Sequence, residues 1–213
     1  GFSLTIYDIA TLQHIAKLGT ASRPAKVHLK IETGTSRQGI LPEDLGRFFT
    51  ILKRSGERLV LEGMSTHFAD IEDNGARSYA RLQLALFHQA LDSATAAGCV
   101  PILRHCAASA AAMVLPRSRL ELVRSGIALY GLWPSDAIRA IMEKKGLRLR
   151  PALEWKTSVA QVKNLPKGTP VGYGRTETLK RDSVVAVLAA GYVDGYDRRL
   201  SSRGIVLIHG HKA

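Results

Sequence analysis

Short apolar runs alternate with segments of helical period along the first 131 residues. Apolar strands separated by helices predict a parallel sheet that helices cover. Five strands are too few for a closed barrel of eight, so the α/β pattern favours a partial (β/α)8 barrel of the TIM type. A doubly wound sheet is the alternative, which the lack of a glycine-rich strand-to-helix turn in the sequence weakens. The strand-like runs are residues 3–8, 26–33, 59–68, 102–109 and 122–131.

Two of the intervening segments carry most of the predicted helical core. The first begins near Pro42 and ends at Gly56, and the second ends at Gly98; these are ordinary start and stop residues of helices. Apolar residues three and four positions apart mark the face that each helix buries. In the first helix they are Leu45, Phe48, Phe49 and Leu52, and in the second they are Tyr79, Leu82, Leu86, Phe87, Ala90, Leu91 and Ala94.

The pattern changes after residue 131. A short helical segment over residues 136–146 leads into runs in which apolar and polar residues alternate, broken by turn sequences. Alternation with a period of two predicts a mostly antiparallel β-domain. The sequence therefore divides into a partial barrel over residues 1–132, a linker helix over 133–150 and a C-terminal β-domain over 151–213.

Charge and cysteine usage narrow the class of protein. The net charge is +12 and the isoelectric point is near 10.0. The basic residues are scattered and lack interleaved aromatics, which favours a solvated face or an anionic ligand over a nucleic-acid surface. No apolar run approaches the roughly 20 residues of a membrane helix, and no secretory signal is visible. Cys99 and Cys106 are typical of buried thiols in a reducing compartment, so we expect a cytoplasmic protein.

Polar residues stand where the predicted strands end, which is the active face of such barrels. Singly, each has an ordinary structural interpretation. His67 is then a satisfied core histidine, Ser109 a helix N-cap, and Arg124 a strand-end arginine that reaches solvent. The polar and glycine positions at these ends are Lys30, Glu32, Thr33, Arg37, His67, His105, Ser109, Arg124, Gly126 and Ile127.

Together, the last of these residues predict an anion site. A helix that begins at Ser109, beside exposed amides around Gly126 and Ile127, offers unpaired N–H groups and the positive end of a helix dipole. Arg124 lies on the adjacent strand, with His105 within hydrogen-bonding reach on the strand before it. The arrangement points to a phosphate-bearing ligand whose ring extends towards a permanently charged arginine.

Six ordered segments resemble the alanine racemase family, enzymes that use pyridoxal 5'-phosphate and have an N-terminal barrel and a C-terminal β-domain. The resemblance implies a homodimeric isomerase that supplies D-alanine for peptidoglycan, without nucleic-acid or membrane partners. It also implies that the barrel strands present are about the fourth to the eighth. The segments are VHLKIETGTSRQGI, GMSTHFAD, LRHCAASAAAM, LVRSGIALYGLWPS, LRPALEWKTSVAQVKNLPKGTPVGYGRT and AAGYVDGYDRRLSSRG.

The resemblance implies a set of cofactor contacts. Ser109, Gly126 and Ile127 look like anchors of the cofactor phosphate. Arg124 looks like the residue that faces the pyridine nitrogen, with His105 supporting it. Because Arg124 stays charged, it would donate to that nitrogen without protonating it. The ring would then be a weaker electron sink, which discourages side reactions such as transamination.

The resemblance also implies the proton chemistry. Racemisation needs one proton-transfer group on each face of a planar carbanion, and Tyr173 looks like one of them, acting in the partner subunit's site. His67 resembles the histidine beside that tyrosine. Arg37 looks like the arginine that hydrogen-bonds the phenolic oxygen of the cofactor and holds the substrate carboxylate. Tyr192 and Arg198 look like residues that line the substrate entrance.

Lys30 matches a lysine that is carbamylated in many family members, and a carbamate there would reverse the charge and orient Arg37. Two residues depart from the family pattern: Glu32 stands where aspartate is usual, and Thr35 where methionine is common. None of the lysines occupies the context of the Schiff-base lysine. Both ends read as strands, which predicts a fragment. The resemblance implies a central-to-C-terminal piece, with that lysine on a strand before Gly1, and a chain that is inactive alone.

Two other functions fit parts of the pattern. One is a broader amino-acid racemase of the same fold that accepts serine or other side chains. The other is a barrel that binds pyridoxal phosphate without catalysis, and Tyr173 argues against it because such a protein needs no second proton donor. A basic nucleic-acid-binding module is the least favoured interpretation.

Overall fold

A computed structural model describes residues 2–72 and 77–213 of the protein. The chain forms two compact units that divide between Leu153 and Glu154. The first unit contains a four-stranded parallel sheet. Its strands are β1 (Ser3–Ile6), β2 (Ala25–Lys30), β3 (Leu59–Ser65) and β4 (Leu103–His105), and its α-helices are α1 (Ile9–Leu18), α2 (Leu45–Ser55), α3 (Ser78–Ala96), α4 (Ser109–Val114) and α5 (Asp136–Glu143).

The strand order in the sheet is the order along the chain, β1-β2-β3-β4. A doubly wound sheet reverses its strand order at a switch point, whereas the wall of a barrel does not. Helices α1, α2 and α3 connect successive parallel strands. The predicted fold class, an α/β parallel sheet that is part of a barrel, is therefore confirmed for this unit.

The prediction of a fifth strand over residues 122–131 is wrong. In this segment Arg124 forms an isolated parallel bridge with Ala108, just after β4, and Ile127–Tyr130 then form a 3₁₀ helix. The Ser109 hydroxyl oxygen accepts the backbone N–H groups of Gly126, at 3.1 Å, and Ala128, at 3.3 Å. Because these amides bond to a side chain on α4, the backbone turns towards that helix instead of extending along the sheet.

Alternation along β2 separates the apolar core from a polar face. Val27 and Leu29 are fully buried, whereas His28 and Lys30 lie on the opposite face of the strand, as the period of two requires. The buried side of the sheet packs with the apolar faces of α1, α2 and α3 in one cluster. Its largest members include Leu12, Ile31, Phe48, Phe49, Met64 and Phe87.

One β-bulge interrupts the pairing of β2 with β3. Val27 pairs with Leu61 and His28 pairs with Gly63, so Glu62 is an extra residue in β3. A bulge re-aims a side chain and is common next to active sites. Here it leaves Glu62 on the same face as His28, where the two side chains are in contact.

The core face of α3 differs from the predicted face in its first two turns. Tyr79 is 39% exposed and Leu82 is 52% exposed, so both assignments to the core were wrong. Gln83 is fully buried in their place. Its amide is satisfied by hydrogen bonds to Thr33, His67 and Ala69, which offset the cost of burying it. A fully bonded polar side chain therefore sets the rotation of the helix.

Helix α5 belongs to the first unit. The Ser135 side chain caps it by accepting the Ile138 N–H at 3.2 Å, and Ile138 is fully buried in the core cluster. Within residues 2–72 and 77–213, no helix has both the length and the apolar character needed to cross a membrane.

The second unit is built from antiparallel strand pairs, as predicted. The longest pair joins β5 (Val159–Leu165) to β8 (Ser183–Leu188). Strand β5 begins six residues later than the apolar run at Leu153 indicated. The two shorter pairs are β6 (Pro170–Val171) with β7 (Glu177–Thr178), and β9 (Leu207–Ile208) with β10 (His211–Lys212).

Substituting two leucines of α3 tests the observed rotation of the helix. Leu91→Ala should lower the free energy of unfolding by about 2–5 kcal/mol, because Leu91 is only 6% exposed. Leu82→Ala removes the same atoms from an exposed position and should cost less than about 1 kcal/mol. Chemical denaturation of both variants measures the difference. Equal losses would contradict the assigned face.

Candidate functional site

Arg124 lies at the centre of the polar residues that follow the strands. Its backbone N–H donates to the Ala107 carbonyl at 2.9 Å, which fixes the chain beside β4. One terminal nitrogen, Nη1, donates to the carbonyl oxygen and to ring Nδ1 of His105. The other, Nη2, donates to the carbonyl of Thr66 at 2.7 Å and lies 3.3 Å from both the Cys106 carbonyl and His67 Nδ1. The guanidinium is thus clamped between the ends of β3 and β4.

The clamp leaves one donor of the guanidinium for a ligand. Arginine has five N–H groups and no acceptor, and its protein partners here all contact Nη1 or Nη2. Among the hydrogen bonds of the described residues, Nε–H of Arg124 has no acceptor. Burial lowers the pKa of Arg124, but a guanidinium does not lose its proton in proteins. The site therefore presents a permanent charge and one free N–H.

His105 supports the clamp as a neutral ring. It is 7% exposed, and burial, followed by the charges of Arg124 and His28, lowers its pKa to about 4. Its second nitrogen, Nε2, lies 2.8 Å from Nδ1 of His28. His28 Nε2 in turn lies 3.1 Å from a carboxylate oxygen of Glu62. A row of side chains therefore runs from Arg124 along the polar face of the sheet.

Ser109 contacts the loop after Arg124, but it is not the N-cap that its sequence predicts. Ala108 occupies the N-cap position and Ser109 is the first residue of α4. The Ser109 hydroxyl accepts the N–H groups of Gly126 and Ala128, so its own hydrogen is left to donate elsewhere. Within the described part of the chain, the Ile127 N–H also has no hydrogen-bond acceptor. Two donors thus lie close together beside Arg124.

Positive charge accumulates at the end of β2. Burial, then the charges of Arg37 and Arg124, lower the pKa of Lys30. Burial and the charges of Arg124, Arg37 and Lys30 likewise lower the pKa of His67. Three cationic side chains therefore act on one region. Such a region stabilises an anion that enters it.

Glu32 organises the loop that carries Arg37. Its carboxylate accepts the backbone N–H groups of Gly34 at 2.5 Å, Thr35 at 2.7 Å and Arg37 at 3.4 Å. Burial raises the pKa of Glu32, but the backbone donors outweigh it and the net shift is downward. Glu32 therefore acts on the Arg37 backbone, whereas the Arg37 side chain is exposed.

Helix α3 braces the same loop from the outside. Tyr79 Oη donates to the Gly34 carbonyl at 3.0 Å. Gly34 has a φ of 133°, and a Cβ atom there would lie 2.2 Å from Tyr79 Oη, so no larger residue fits without a shift. Deeper in the unit, Gln83 bonds to the Thr33 hydroxyl and to the His67 carbonyl. The loops after β2 and β3 are therefore held by one helix.

The remaining predicted residues lie in the second unit. Tyr173 is fully exposed, and it stands between Gly172 and Gly174, which have φ angles of 77° and 72°. Tyr192 is 72% exposed, and Arg198 is exposed at the start of a 3₁₀ helix. Their side chains are open to solvent within this unit.

Comparison with known proteins identifies the family. Residues 1–134 match the family described as alanine racemase, N-terminal domain, and residues 152–213 match alanine racemase, C-terminal domain. The chain belongs to the alanine racemase family. It is 40% identical over 213 residues to the alanine racemase of Symbiobacterium thermophilum, covering all of this chain and 55% of that protein. The chain thus spans about half the length of the curated relatives it matches.

Solved alanine racemases share the fold. The enzyme of Clostridium difficile 630 matches with a TM-score of 0.85 and 33% identity, over 99% of this chain and 54% of that one. The Bacillus anthracis enzyme with bound L-Ala-P matches with a TM-score of 0.83 and 33% identity, over 99% of this chain and 53% of that one. The partial barrel followed by a β-domain therefore matches about half of the fold of these racemases.

The residues predicted from the racemase resemblance fall into three groups. Hydrogen bonds directly link Arg124 to His105 and His67, and separately link Ser109 to Gly126. Lys30 and Arg37 lie near this cluster and act on it through charge. The third group is in the second unit and comprises Tyr173, Tyr192 and Arg198. The catalytic and binding roles of all these residues stay predictions.

Three racemase residues in contact with the site were missed by sequence reasoning. His28 is hidden in an ordinary strand, although its place two residues before Lys30 puts both on one face. Glu62 could not be placed because a bulge shifts its register. Gln83 is not among the residues predicted for the core face of its helix. Its position three residues after Ala80 and four before Phe87 was the available signal.

The depressed pKa of His105 predicts loss of stability in mild acid. The unfolded histidine takes up a proton near pH 6.5 and the folded one near pH 4. The stability is thus complete above pH 6.5 and falls as the pH drops to 4, by about 2–3 kcal/mol from this group. His105→Asn keeps an acceptor for Arg124 but does not titrate, so denaturation at several pH values should show a shallower dependence. An identical pH dependence in the variant would refute the assignment.

Proposed function

We propose that the protein carrying this chain is an alanine racemase that binds pyridoxal 5'-phosphate and interconverts L- and D-alanine. The observation that carries the proposal is the clamped Arg124, with one free N–H, in a chain of this family. The Bacillus anthracis relative was solved with L-Ala-P, and we propose the same substrate class here. We further propose a cytoplasmic homodimer that supplies D-alanine for peptidoglycan.

The residues present fit the cofactor. Arg124 Nε–H would donate to the pyridine nitrogen, and the Ser109 hydroxyl with the Ile127 N–H would hold the phosphate, where Gly126 lets the backbone approach. When bound, pyridoxal phosphate supplies an electron-withdrawing ring that makes the α-hydrogen of an amino acid acidic.

Arg124 limits how far that withdrawal goes. The guanidinium donates a hydrogen bond but does not give up its proton, so it leaves the ring nitrogen unprotonated. Less negative charge is then drawn away from the α-carbon, and return of a proton to that carbon is favoured over side reactions. His105 keeps Arg124 in place because its neutral ring and its carbonyl both accept from Nη1.

Arg37 would bind the carboxylate of the substrate, and Lys30 would orient Arg37. Arg37 offers a planar fork that matches a carboxylate, and its loop is fixed by Glu32. Lys30 as an ammonium would repel Arg37, whose charge lowers the Lys30 pKa. A lowered pKa leaves more of the free amine, whose nitrogen attacks carbon dioxide to form the carbamate and releases a proton. A carbamate on Lys30 would replace the repulsion by a charged hydrogen bond.

Intact-mass measurement of the protein in bicarbonate tests the carbamylation of Lys30. The expected result is an added carbon dioxide that disappears in acid and in Lys30→Ala. Lys30→Glu keeps a carboxylate near Arg37 and should retain more racemase activity than Lys30→Ala. An unmodified lysine in bicarbonate, with both variants equally impaired, would contradict this role.

Tyr173 would move the proton at one face of the α-carbon in the partner subunit's site. A phenol acts as a base only where hydrogen bonds and positive charge stabilise its anion. His67 can supply such a bond. Because Arg124 donates towards His67 Nδ1, the hydrogen of a neutral His67 lies on Nε2 and can point to a phenol oxygen. Full exposure of Tyr173 within its own unit supports action on another surface, and Tyr192 and Arg198 would line the route to it.

Racemisation assays on the full-length protein with pyridoxal phosphate test the function. Tyr173→Phe should lower kcat by about 10²–10⁴-fold, because it removes the proton but little volume. Tyr196→Phe is the matched control. The ring centroids of Tyr196 and Trp155 are 6.1 Å apart, and Tyr196 has no assigned role, so activity should be preserved. Turnover of serine as fast as alanine would replace the proposal by the broader racemase, and loss of less than tenfold in Tyr173→Phe would refute the role of this tyrosine.

We also propose that the 213 residues alone do not racemise alanine. None of their lysines occupies the family context of the lysine that binds the cofactor. Robust turnover by the 213-residue chain would overturn this statement without affecting the roles proposed for Arg124 and Tyr173.

A further inference from the structure

Four side chains form a continuous row on the polar face of the sheet. Arg124 Nη1 contacts His105 Nδ1, His105 Nε2 lies 2.8 Å from His28 Nδ1, and His28 Nε2 lies 3.1 Å from Glu62 Oε2. Each imidazole uses both nitrogens in the row. The four residues come from β2, β3, β4 and the segment bridged to it. The row therefore crosses three neighbouring strands of the sheet.

Only one placement of the hydrogens satisfies every contact in the row. Arginine can only donate, so His105 Nδ1 must be a bare acceptor and the hydrogen of this ring lies on Nε2. His105 then donates to His28 Nδ1, which places the hydrogen of His28 on Nε2. His28 donates that hydrogen to Glu62. A carboxylate only accepts, so the direction of the row is fixed at both ends.

The ionisation of the groups agrees with this direction. Hydrogen bonds from Lys26, Ser3 and His28 lower the pKa of Glu62 to about 2, so Glu62 is an anion at neutral pH. Lys26 Nζ lies 2.8 Å from Oε1, the carboxylate oxygen that His28 does not use. The low pKa of His105 keeps that ring neutral with a single hydrogen.

The backbone is built to make room for the row. The bulge in β3 places both Glu62 and Gly63 on the face that carries His28. A Cβ atom on Gly63 would lie 2.3 Å from His28 Nδ1, which no real contact tolerates. The bulge supplies the carboxylate, and the glycine next to it supplies the space for the imidazole. Both features serve His28, whose ring bonds to His105 and Glu62 and reaches Arg124 only through His105.

We propose that His28 and Glu62 are positioning residues that lock His105 in its Nε2–H tautomer and thereby hold Arg124 in the orientation that leaves Nε–H free. Without the carboxylate, only the Arg124 end fixes the direction of the row, and His28 can place its hydrogen on Nδ1 at the cost of the bond that it accepts from His105. The two rings would then meet donor to donor, and His105 would lose its fixed place as the acceptor for Arg124. The tautomers are independent of any cofactor, whereas the effect on catalysis rests on the proposed racemase function.

Glu62→Gln tests whether Glu62 locks the tautomers of the two histidines, because the substitution changes the shape of the side chain little. An amide has one accepting and one donating end, and the Lys26 ammonium competes with His28 for the accepting one. When Lys26 takes it, the amide N–H₂ faces His28 Nε2 and drives the His28 hydrogen to Nδ1. Adding Lys26→Met to Glu62→Gln removes the charged competitor and leaves the Ser3 hydroxyl, which can also accept, so the wild-type tautomer should return. Glu121→Gln, which removes a carboxylate paired with Arg104, is the control outside the row.

The readout is ¹⁵N NMR of the histidine rings in the full-length protein, assigned with His28→Gln and His105→Asn. We expect Nε2–H on both rings in wild type and in Glu121→Gln, a shift of His28 towards Nδ1–H in Glu62→Gln, and its reversal in the double variant. An Nδ1–H ring for His105 or His28 in wild type overturns the proposal whether or not the variants fold. Unchanged tautomers in a folded Glu62→Gln also overturn it.

Kinetics separate the lock from the proposed function. In the protein loaded with pyridoxal phosphate, Glu62→Gln should lower kcat for alanine by about tenfold, the usual cost of losing a supporting partner, while Glu121→Gln should not. Altered tautomers with unchanged kcat would remove the positioning role. Wild-type protein with the expected tautomers but no racemisation would refute the proposed function and leave the hydrogen-bonded row intact.

Discussion

A permanently charged guanidinium, held by acceptors from two strand ends, is the interaction on which the rest of this site depends. Taking such a charge out of water is costly unless its N–H groups are bonded. Arg124 meets this condition with carbonyls of Thr66, His105 and Cys106 and with the rings of His105 and His67. These acceptors exist together only when β3, β4 and the Arg124 bridge are in register. The buried guanidinium therefore depends on the register of these segments, and its hydrogen bonds in turn hold them in register.

The polar face of the sheet also reflects the need of buried polar groups for hydrogen-bond partners. The apolar residues of the strands face the helices and form the core, while His28, Lys30 and His105 occupy the other side of the sheet. Buried polar groups on that side are costly unless they form a connected network. The bulge at Glu62 completes the network by bringing a carboxylate to His28. The polar face of the sheet can therefore carry a functional site while the apolar face keeps a packed core against the helices.

Local sequence pattern was sufficient for the parallel sheet, the helix over 45–55 and the contact between Arg124 and His105. These features depend on periodicity and on the rule that parallel strands end at one edge. The pattern failed where a single side chain redirected the backbone or a helix. Ser109 captures two amides that the apolar run at 122–131 would otherwise give to a strand, and Gln83 enters the core because its partners lie on distant loops. Neither hydrogen bond is visible before the loops are placed.

The protonation of the cofactor ring in the full-length protein shows whether Arg124 donates a hydrogen bond to the pyridine nitrogen without transferring its proton. Pyridoxal phosphate labelled with ¹⁵N at the pyridine nitrogen, bound to the protein and observed by NMR at neutral pH, reports whether that nitrogen carries a hydrogen. We expect an unprotonated nitrogen that accepts a hydrogen bond, and we expect this bond to be lost when Arg124 is replaced by a residue without a donor. A protonated pyridine nitrogen in the wild-type protein would contradict it.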